Sequence, residues 1–359
     1  MSGKRSMDPQ KSDQLLRALL IVLLALVVIA GGLYLFVQVK LGAINRVEPD
    51  EFSEEMSVEE VSSPVAVDWG TAKVATSVDG VVNVLLVGQD SRTGKRERSD
   101  TMILFSINKN SNQLTMVSLM RDLYVQIPGY GGRKLNAAYQ YGGFDLLDQT
   151  ISENFGVVVD YNVEVDFTGF KDIVDSLGGV DVELNEDEVR YLTGGGVAHT
   201  HGRTYDVEVG VNHLDGKAAL DYARARHVEG AADFGRTQRQ RKLLKIIYKS
   251  LKDASWLKLL GVYDSVADNI TTDMNNTQIL SIAFSAYTMG GKDINSYRIP
   301  ASGMYHTEDL GGELNSMLVP NDGDETRQLL QDYLYSDDGG AAAFAAIEEK
   351  YGQQSGMDD

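Results

Sequence analysis

The chain has 359 residues, with 33 basic against 52 acidic side chains, a formal net charge of −19 and no cysteine. The lack of cysteine excludes a disulfide scaffold, a cysteine–zinc site, a thiol nucleophile and an iron–sulfur cluster. The negative balance argues against nucleic acid as a partner, because phosphate binding needs a basic surface, but it leaves room for a small basic pocket on an acidic body.

Residues 1–17 read as a short cytoplasmic tail carrying Lys4, Arg5, Lys11 and Arg17. Residues 18–37, ALLIVLLALVVIAGGLYLFV, hold no charge and form a predicted transmembrane helix, long enough at about 1.5 Å per residue to cross a hydrocarbon core of about 30 Å. A cleaved signal peptide has a shorter apolar stretch and a small-residue cleavage site, whereas this segment continues into Gln38 and Lys40. The acidic run that follows, from Glu48 to Glu60, gives the positive-inside orientation: N-terminus in the cytoplasm, everything after Val37 outside. Lipid bilayer is therefore an expected partner.

Residues 38–80 are acidic and Ser-rich without clear periodicity, and read as a linker. A single domain is expected over 81–335. Val81–Val87 (VVNVLLV) is a buried strand by its continuous β-branched run, ended by Gly88. Thr101–Ile107 and Leu114–Leu119 flank the polar turn Lys109–Asn112, which predicts a hairpin. Helical periodicity runs over Phe144–Phe155 and Phe167–Leu177, the second closed by Gly178 and Gly179. Val180–Leu184 follows as a strand, Leu214–Asp221 and Phe234–Leu251 as helices, Leu280–Met289 as a further helix and Ser296–Ile299 as a strand. The pattern predicts an α/β fold: one layered domain with a mixed central β-sheet flanked by helices, preceded by the transmembrane helix. Residues 336–359, with the Ala-rich run AAAFAAIEEK, read as a loose tail.

Three constellations carry chemistry. In the first, Asp90 follows the buried strand, where α/β sheets build sites, although an Asx-turn explains it as well. Asp100 abuts the start of the next strand, so neighbouring strands would bring Asp90 and Asp100 onto one cation; Mg²⁺ favours one or two carboxylates with phosphate oxygens and water. The second is Arg121 at the end of the hairpin, readable also as a surface partner of Asp122, with Asn136 further on as a helix cap. The third is the arginine-dense stretch Arg224, Arg226, then Asp233, Arg236, Arg239, Gln240 and Arg241. Arg236 and Gln240 are four apart on a helix and stack on one face, with Asp233 as a natural N-cap. A solvated basic face is the plain alternative; bidentate guanidinium binding of phosphate explains the density of arginine on an acidic chain. His199 and His201 lie in a glycine-rich loop, and Asn269 and Asn275 match glycosylation acceptors.

In this order, VLLVGQDSR, RSDTMILFSI, VSLMRDLYVQIPG, KLNAAYQYGG, GVDVEL, LDGKAALDYARARH and DFGRTQRQR resemble the LytR-CpsA-Psr family of bacterial envelope proteins over about Val81 to Leu251, and RIP (Arg298–Pro300) and LVP (Leu318–Pro320) extend the match. Gln89 departs from the smaller residues common at its position, as does the Gly194–His201 loop from the family pattern. The resemblance implies a membrane-anchored phosphotransferase that moves a glycopolymer from a polyprenyl-pyrophosphate carrier onto peptidoglycan as a phosphodiester, with an apolar groove for the prenyl chain. It implies Asp90 and Asp100 as Mg²⁺ ligands, Arg98, Arg121, Arg224, Arg226, Arg236 and Gln240 as pyrophosphate contacts, and catalytic roles for Asp90, Arg98, Asp233 and Arg236. Three alternatives stand beside it. A polyprenyl-pyrophosphate hydrolase uses the same site with water, and a wall-polymer binding protein uses it without turnover. A transcriptional regulator fails on topology, since the basic cluster lies outside the cell, and on charge.

Overall fold

The computed structural model describes residues 36–47, 65–67, 69, 75, 77–89, 98–194, 203–225, 228, 232–289 and 293–352. It divides into Met1–Ala43, in which residues 36–41 are helical, and Ile44–Asp359. The predicted span at 18–37 lies outside the described residues except for its last two positions; among the described residues no helix is long and apolar enough to cross a membrane.

A seven-stranded mixed sheet organises the larger unit. Its strands are β1 (Asn45–Arg46), β2 (Val81–Gln89), β3 (Thr101–Asn108), β4 (Gln113–Leu119), β7 (Tyr161–Asp166), β10 (Ile270–Thr272) and β11 (Asn295–Ile299). They lie in the order β1-β10-β7-β2-β3-β4-β11. β2 runs parallel to β7, β4 parallel to β11 and β1 parallel to β10; β3 is antiparallel to both its neighbours. The hairpin between β3 and β4 forms as expected, with Asn112 at φ 54° in its turn.

Alternation along each strand feeds two cores. Leu85, Val87, Leu104 and Val117 point into the larger core, shared with α1 (Leu135–Phe155), α8 (Gly323–Tyr335) and α9 (Ala341–Tyr351). Ile103, Ile107, Leu114 and Met116 point to the opposite face, under α5 (Ala232–Asp253) and α7 (Asn276–Thr288). A third cluster lies among α2 (Phe167–Ser176), α3 (Glu186–Leu192), α4 (Gly216–Arg224), α5, α6 (Trp256–Val266) and the hairpin β8 (Val180–Leu184) with β9 (Gly210–Leu214). Two further pairs complete the described strands: β5 (Tyr124–Ile127) with β6 (Gly131–Lys134), and β12 (Tyr305–Glu308) with β13 (Met317–Pro320).

Several expectations change. Helix α1 begins nine residues before Phe144, and its first segment meets the predicted helix at a break where Gly143 takes φ 63°, ψ −147°, a conformation open to glycine. Asn136 is no cap: Lys134 stands at that position, and Asn136 is buried inside the helix. Val180–Leu184 is a strand, but it pairs in the β8–β9 hairpin outside the central sheet. The linker is not wholly a spacer, since Asn45–Arg46 joins the sheet edge and Trp69 packs edge-on against Phe155, ring centroids 5.4 Å apart. The Ala-rich tail forms α9 and buries Phe344 and Ile347 in the larger core, because two large apolar residues three apart suffice to seat a short helix. Asn275 is explained by the capping box of α7, where its side chain accepts from Gln278 N and the Gln278 side chain accepts from Asn275 N. His199 and His201 lie outside the described residues.

Candidate functional site

The carboxyl ends of β2, β4 and β7 lie at one edge of the sheet, the usual place for a site in an α/β layer. Antiparallel β3 brings its amino end there: Thr101 pairs with Gly88, and Asp100 N donates to Gly88 O at 3.0 Å. The two strands flanking the Asp90–Asp100 segment are thus neighbours, as the cation reading requires. Asp90 itself lies outside the described residues.

Arg121 leaves the end of β4 and gathers three carboxylates. Its Nη1 lies 2.7 Å from Asp100 Oδ1, its Nε 3.1 Å from Asp122 Oδ2 and its Nη2 3.7 Å from Asp233 Oδ2. Burial works against the charge of this guanidinium, yet the fields of Asp122, Asp233 and Asp100 outweigh it and hold its pKa above the ordinary arginine value. Asp233 continues the chain to Arg236, whose Nη1 is 3.1 Å from Asp233 Oδ1. Four of the anticipated residues therefore form one connected series: Asp100, Arg121, Asp233, Arg236. Asp233 sits within the first turn of α5 and not at its N-cap, so it serves the series as an i,i+3 partner of Arg236.

Arg98 stands apart from that series. Its Nε donates to Gln140 Oε1 at 3.0 Å and its Nη2 lies 2.7 Å from Glu313 Oε1. Arg224, the last residue of α4, stacks its guanidinium 4.3 Å from the ring centroid of Phe167. Phe167 opens α2 directly after β7, where Asp166 caps the helix by accepting from Gly169 N at 2.7 Å. Arg226 lies outside the described residues. Arg241 is structural: fully buried, with its Nε donating to Ser296 Oγ at 2.9 Å.

Between the sheet and helices α2, α4 and α5 lies a cleft of about 840 Å³, mouth included. Its walls are apolar, with Ile103 from β3, Phe170 and Ile173 from α2, Leu220 from α4, and Leu243 and Ile247 from α5. Arg224 and Gln240 line it together near Gly88, Thr101 and Phe167, so its polar end is the sheet edge just described. Gln240 Oε1 is buried there without a hydrogen-bond partner among the described residues. The arrangement offers an apolar cleft with a guanidinium and an amide in its lining, a shape for an amphiphile with an anionic head.

Of the two anticipated metal ligands the structure describes Asp100, a part-exposed carboxylate whose Oδ1 lies 2.7 Å from Arg121 Nη1; a carboxylate is a hard oxygen donor of the kind Mg²⁺ takes.

The LytR_cpsA_psr family pattern matches residues 44–318, most of the chain. The chain belongs to the LytR_cpsA_psr family. It is 30% identical over 262 residues to regulatory protein MsrR of Staphylococcus aureus, covering 72% of this chain and 76% of MsrR. It is 33% identical over 239 residues to the polyisoprenyl-teichoic acid–peptidoglycan teichoic acid transferase TagU of Bacillus cereus, covering 64% of this chain and 73% of TagU. Among solved structures it resembles the family protein YwtF (TagT) of Bacillus subtilis with bound octaprenyl pyrophosphate lipid, at a TM-score of 0.55 and 26% identity over 75% of this chain and 99% of that one.

Sequence reasoning did not single out Asp122, Gln140, Phe167 or Glu313 as site residues. Asp122 was visible only as a neighbour of Arg121. Gln140, Phe167 and Glu313 come from distant segments with no spacing signal.

Proposed function

We propose that the protein is a phosphotransferase, anchored in the membrane by residues 18–37, that takes a glycopolymer from a polyprenyl-pyrophosphate carrier and joins it to peptidoglycan through a phosphodiester. One observation carries this reading: the apolar cleft is lined by Arg224, Gln240 and Thr101, and Asp100, next to Thr101, begins the series Asp100–Arg121–Asp233–Arg236. A prenyl chain fills such a cleft, and its pyrophosphate then meets guanidinium groups. The TagU name and the lipid bound in TagT support the same donor class.

In the reaction, an acceptor sugar hydroxyl attacks the phosphorus that bears the glycopolymer. The new O–P bond forms as the bond to the bridging oxygen breaks, and polyprenyl phosphate leaves with that electron pair. Phosphoryl transfer asks the protein chiefly for positioning and charge stabilisation. Arg224, held flat on Phe167, presents its donors at the mouth of the cleft. Arg121 and Arg236 are both held by Asp233; Arg98, which Gln140 and Glu313 hold, and Arg226 are the remaining proposed pyrophosphate contacts. Bound Mg²⁺, held by Asp100 and Asp90, would supply neutralisation of the pyrophosphate charge. Asp233 has its two carboxylate oxygens turned toward Arg236 and Arg121, which makes it a positioning residue. Asp90 is the proposed acceptor of the hydroxyl proton, and an Asp90→Asn protein with full turnover would refute that role.

The test incubates the purified full chain and Mg²⁺ with a prenyl-pyrophosphate disaccharide donor and peptidoglycan oligomers. Mass spectrometry then looks for the phosphodiester-linked product. The product is expected, and is expected to vanish with EDTA and with Arg224→Ala. Prenyl phosphate released without linked product would instead indicate hydrolysis, and donor bound without turnover a binding protein.

A further inference from the structure

Helix α7 carries a surface that the transfer site does not use. Residues 276–289 contain no charged side chain, in a chain that is 24% charged. Leu280, Phe284 and Tyr287, spaced to share one helix face, are 38%, 68% and 60% exposed. The solvent-facing positions beside them are Ser281, Ala283 and Thr288, all small and uncharged. The opposite side of the helix turns inward: Ile282 and Ala286 join the cluster that takes in Leu244 and Tyr248 of α5, and Tyr248 Oη donates to Ala286 O at 2.8 Å. The stripe thus faces away from the side of α7 that meets the rest of the protein.

Its place along the chain says what covers it. The polypeptide enters the sheet at β1, which pairs with β10, three residues before the N-cap of α7. Arg46 of β1 donates from Nη2 to Asn276 Oδ1, the first residue of α7, at 2.7 Å. Eight residue steps lead from Val37, the end of the apolar run, to Asn45. Even fully extended they reach less than about 29 Å, and residues 36–41 are helical and span less. The start of α7 is therefore tied by a short leash to the point where the chain leaves the bilayer.

We propose that α7 docks on the bilayer surface, with Leu280, Phe284 and Tyr287 inserted at the level of the headgroups. The inference rests on the reading of residues 18–37 as a membrane anchor. A leucine, a phenylalanine and a tyrosine on one face suit the interfacial zone, where an aromatic body meets lipid and a hydroxyl meets water. Insertion of uncharged surface also answers an electrostatic problem. A chain of net charge −19 is repelled by anionic lipid, so a second membrane contact must be apolar. The helix beneath the stripe, α5, is the wall of the apolar cleft, to which Leu244 and Ile247 belong. Docking α7 consequently gives the cleft a second hold on the membrane, where a lipid-borne donor resides.

The chain lacks cysteine, so one introduced cysteine carries one spin label. The full chain is reconstituted in phosphatidylglycerol–phosphatidylethanolamine vesicles with a nitroxide at Ala283→Cys, Ala25→Cys or Thr307→Cys. Collision with oxygen, which concentrates in lipid, is compared with collision with a water-soluble nickel chelate. The expected result is a label at 283 that favours oxygen several-fold over the exposed reference at 307, and that returns to the reference value when Leu280, Phe284 and Tyr287 are all changed to Ser. A label at 283 as accessible to nickel as that at 307, with the label at 25 buried in hydrocarbon, overturns the docking and leaves the anchor standing. Shielding of 283 from both reagents overturns it as well, in favour of a protein neighbour. An aqueous label at 25 overturns the anchor reading, and the docking with it.

Discussion

Arg121 Nη1 and Asp100 Oδ1, 2.7 Å apart, join the end of one central strand to the start of its neighbour. Because Arg121 also meets Asp122 and Asp233, one guanidinium bridges three carboxylates, of which Asp122 is shared with Lys134 and Asp233 with Arg236. Replacing it by Ala removes the cation common to all three. Arg121→Ala is expected to cost roughly 2–4 kcal/mol of stability, read as a lowered midpoint in urea, and to reduce transfer by about 10³-fold. Arg121→Lys keeps a charge but not the planar fork, so it should restore most of the stability and little of the activity. Equal recovery of both would contradict a role in the reaction.

Phe167 acts on Arg224 through its ring face. A stacked guanidinium of this kind contributes about 0.5–2 kcal/mol. Phe167→Leu keeps the apolar volume and removes the ring, and is expected to raise KM for the lipid donor by about 3- to 30-fold. In the Arg224→Ala background the same change should have little further effect. Full additivity of the two would show that Phe167 serves the cleft and not the arginine.

Asp148 gives the fold a pH dependence of its own. Burial raises its pKa to about 7; Asn162 Nδ2, donating to its Oδ2 at 2.7 Å, opposes the shift and the nearby Asp273 and Asp145 reinforce it. The folded state therefore holds a proton that the unfolded state releases near the ordinary carboxylate value of 3.8. The contribution of Asp148 to stability is largest below about pH 4, falls as pH rises toward about 7 and is level above it, with a total loss of at most about 4 kcal/mol. Asp148→Asn keeps the shape and the bond to Asn162 while removing the charge, and should flatten that slope in urea titrations taken across the range.

Helix α9 belongs to the folded unit. Phe344 is buried against Tyr297, ring centroids 5.7 Å apart, and Phe344→Ala is expected to destabilise by about 3–5 kcal/mol. A protein ending at Ser336 should lose at least as much. An unchanged urea midpoint in either would mean that the helix does not seat in solution.

Strands and helices with strong periodicity were legible in the sequence because their signal is local. VVNVLLV reads as buried from its own composition, and the hairpin from its polar turn. What escaped was set by distant partners. Asn45–Arg46 becomes a strand only because β10 offers it an edge, and AAAFAAIEEK becomes a packed helix only because Tyr297 and its neighbours await Phe344. The site divides in the same way. Arginine density marked Arg224 and Arg236 within one stretch, and Asp100 and Arg121 were marked by their places at strand ends. Their assembly into one series depends on strand order, and the stacking of Arg224 on Phe167 depends on a parallel pairing of β2 with β7 that no local pattern encodes.

The central claim is that the donor's lipid occupies the cleft with its pyrophosphate at Arg224. Its most direct test is photocrosslinking of the full chain with a prenyl-pyrophosphate disaccharide whose chain carries a diazirine, followed by peptide mapping. The account predicts adducts on α4 and α5 at the cleft walls, at Leu220, Leu243 and Ile247, lost on competition with unlabelled prenyl pyrophosphate and weakened by Arg224→Ala. Competable adducts confined to surfaces outside these helices would contradict it.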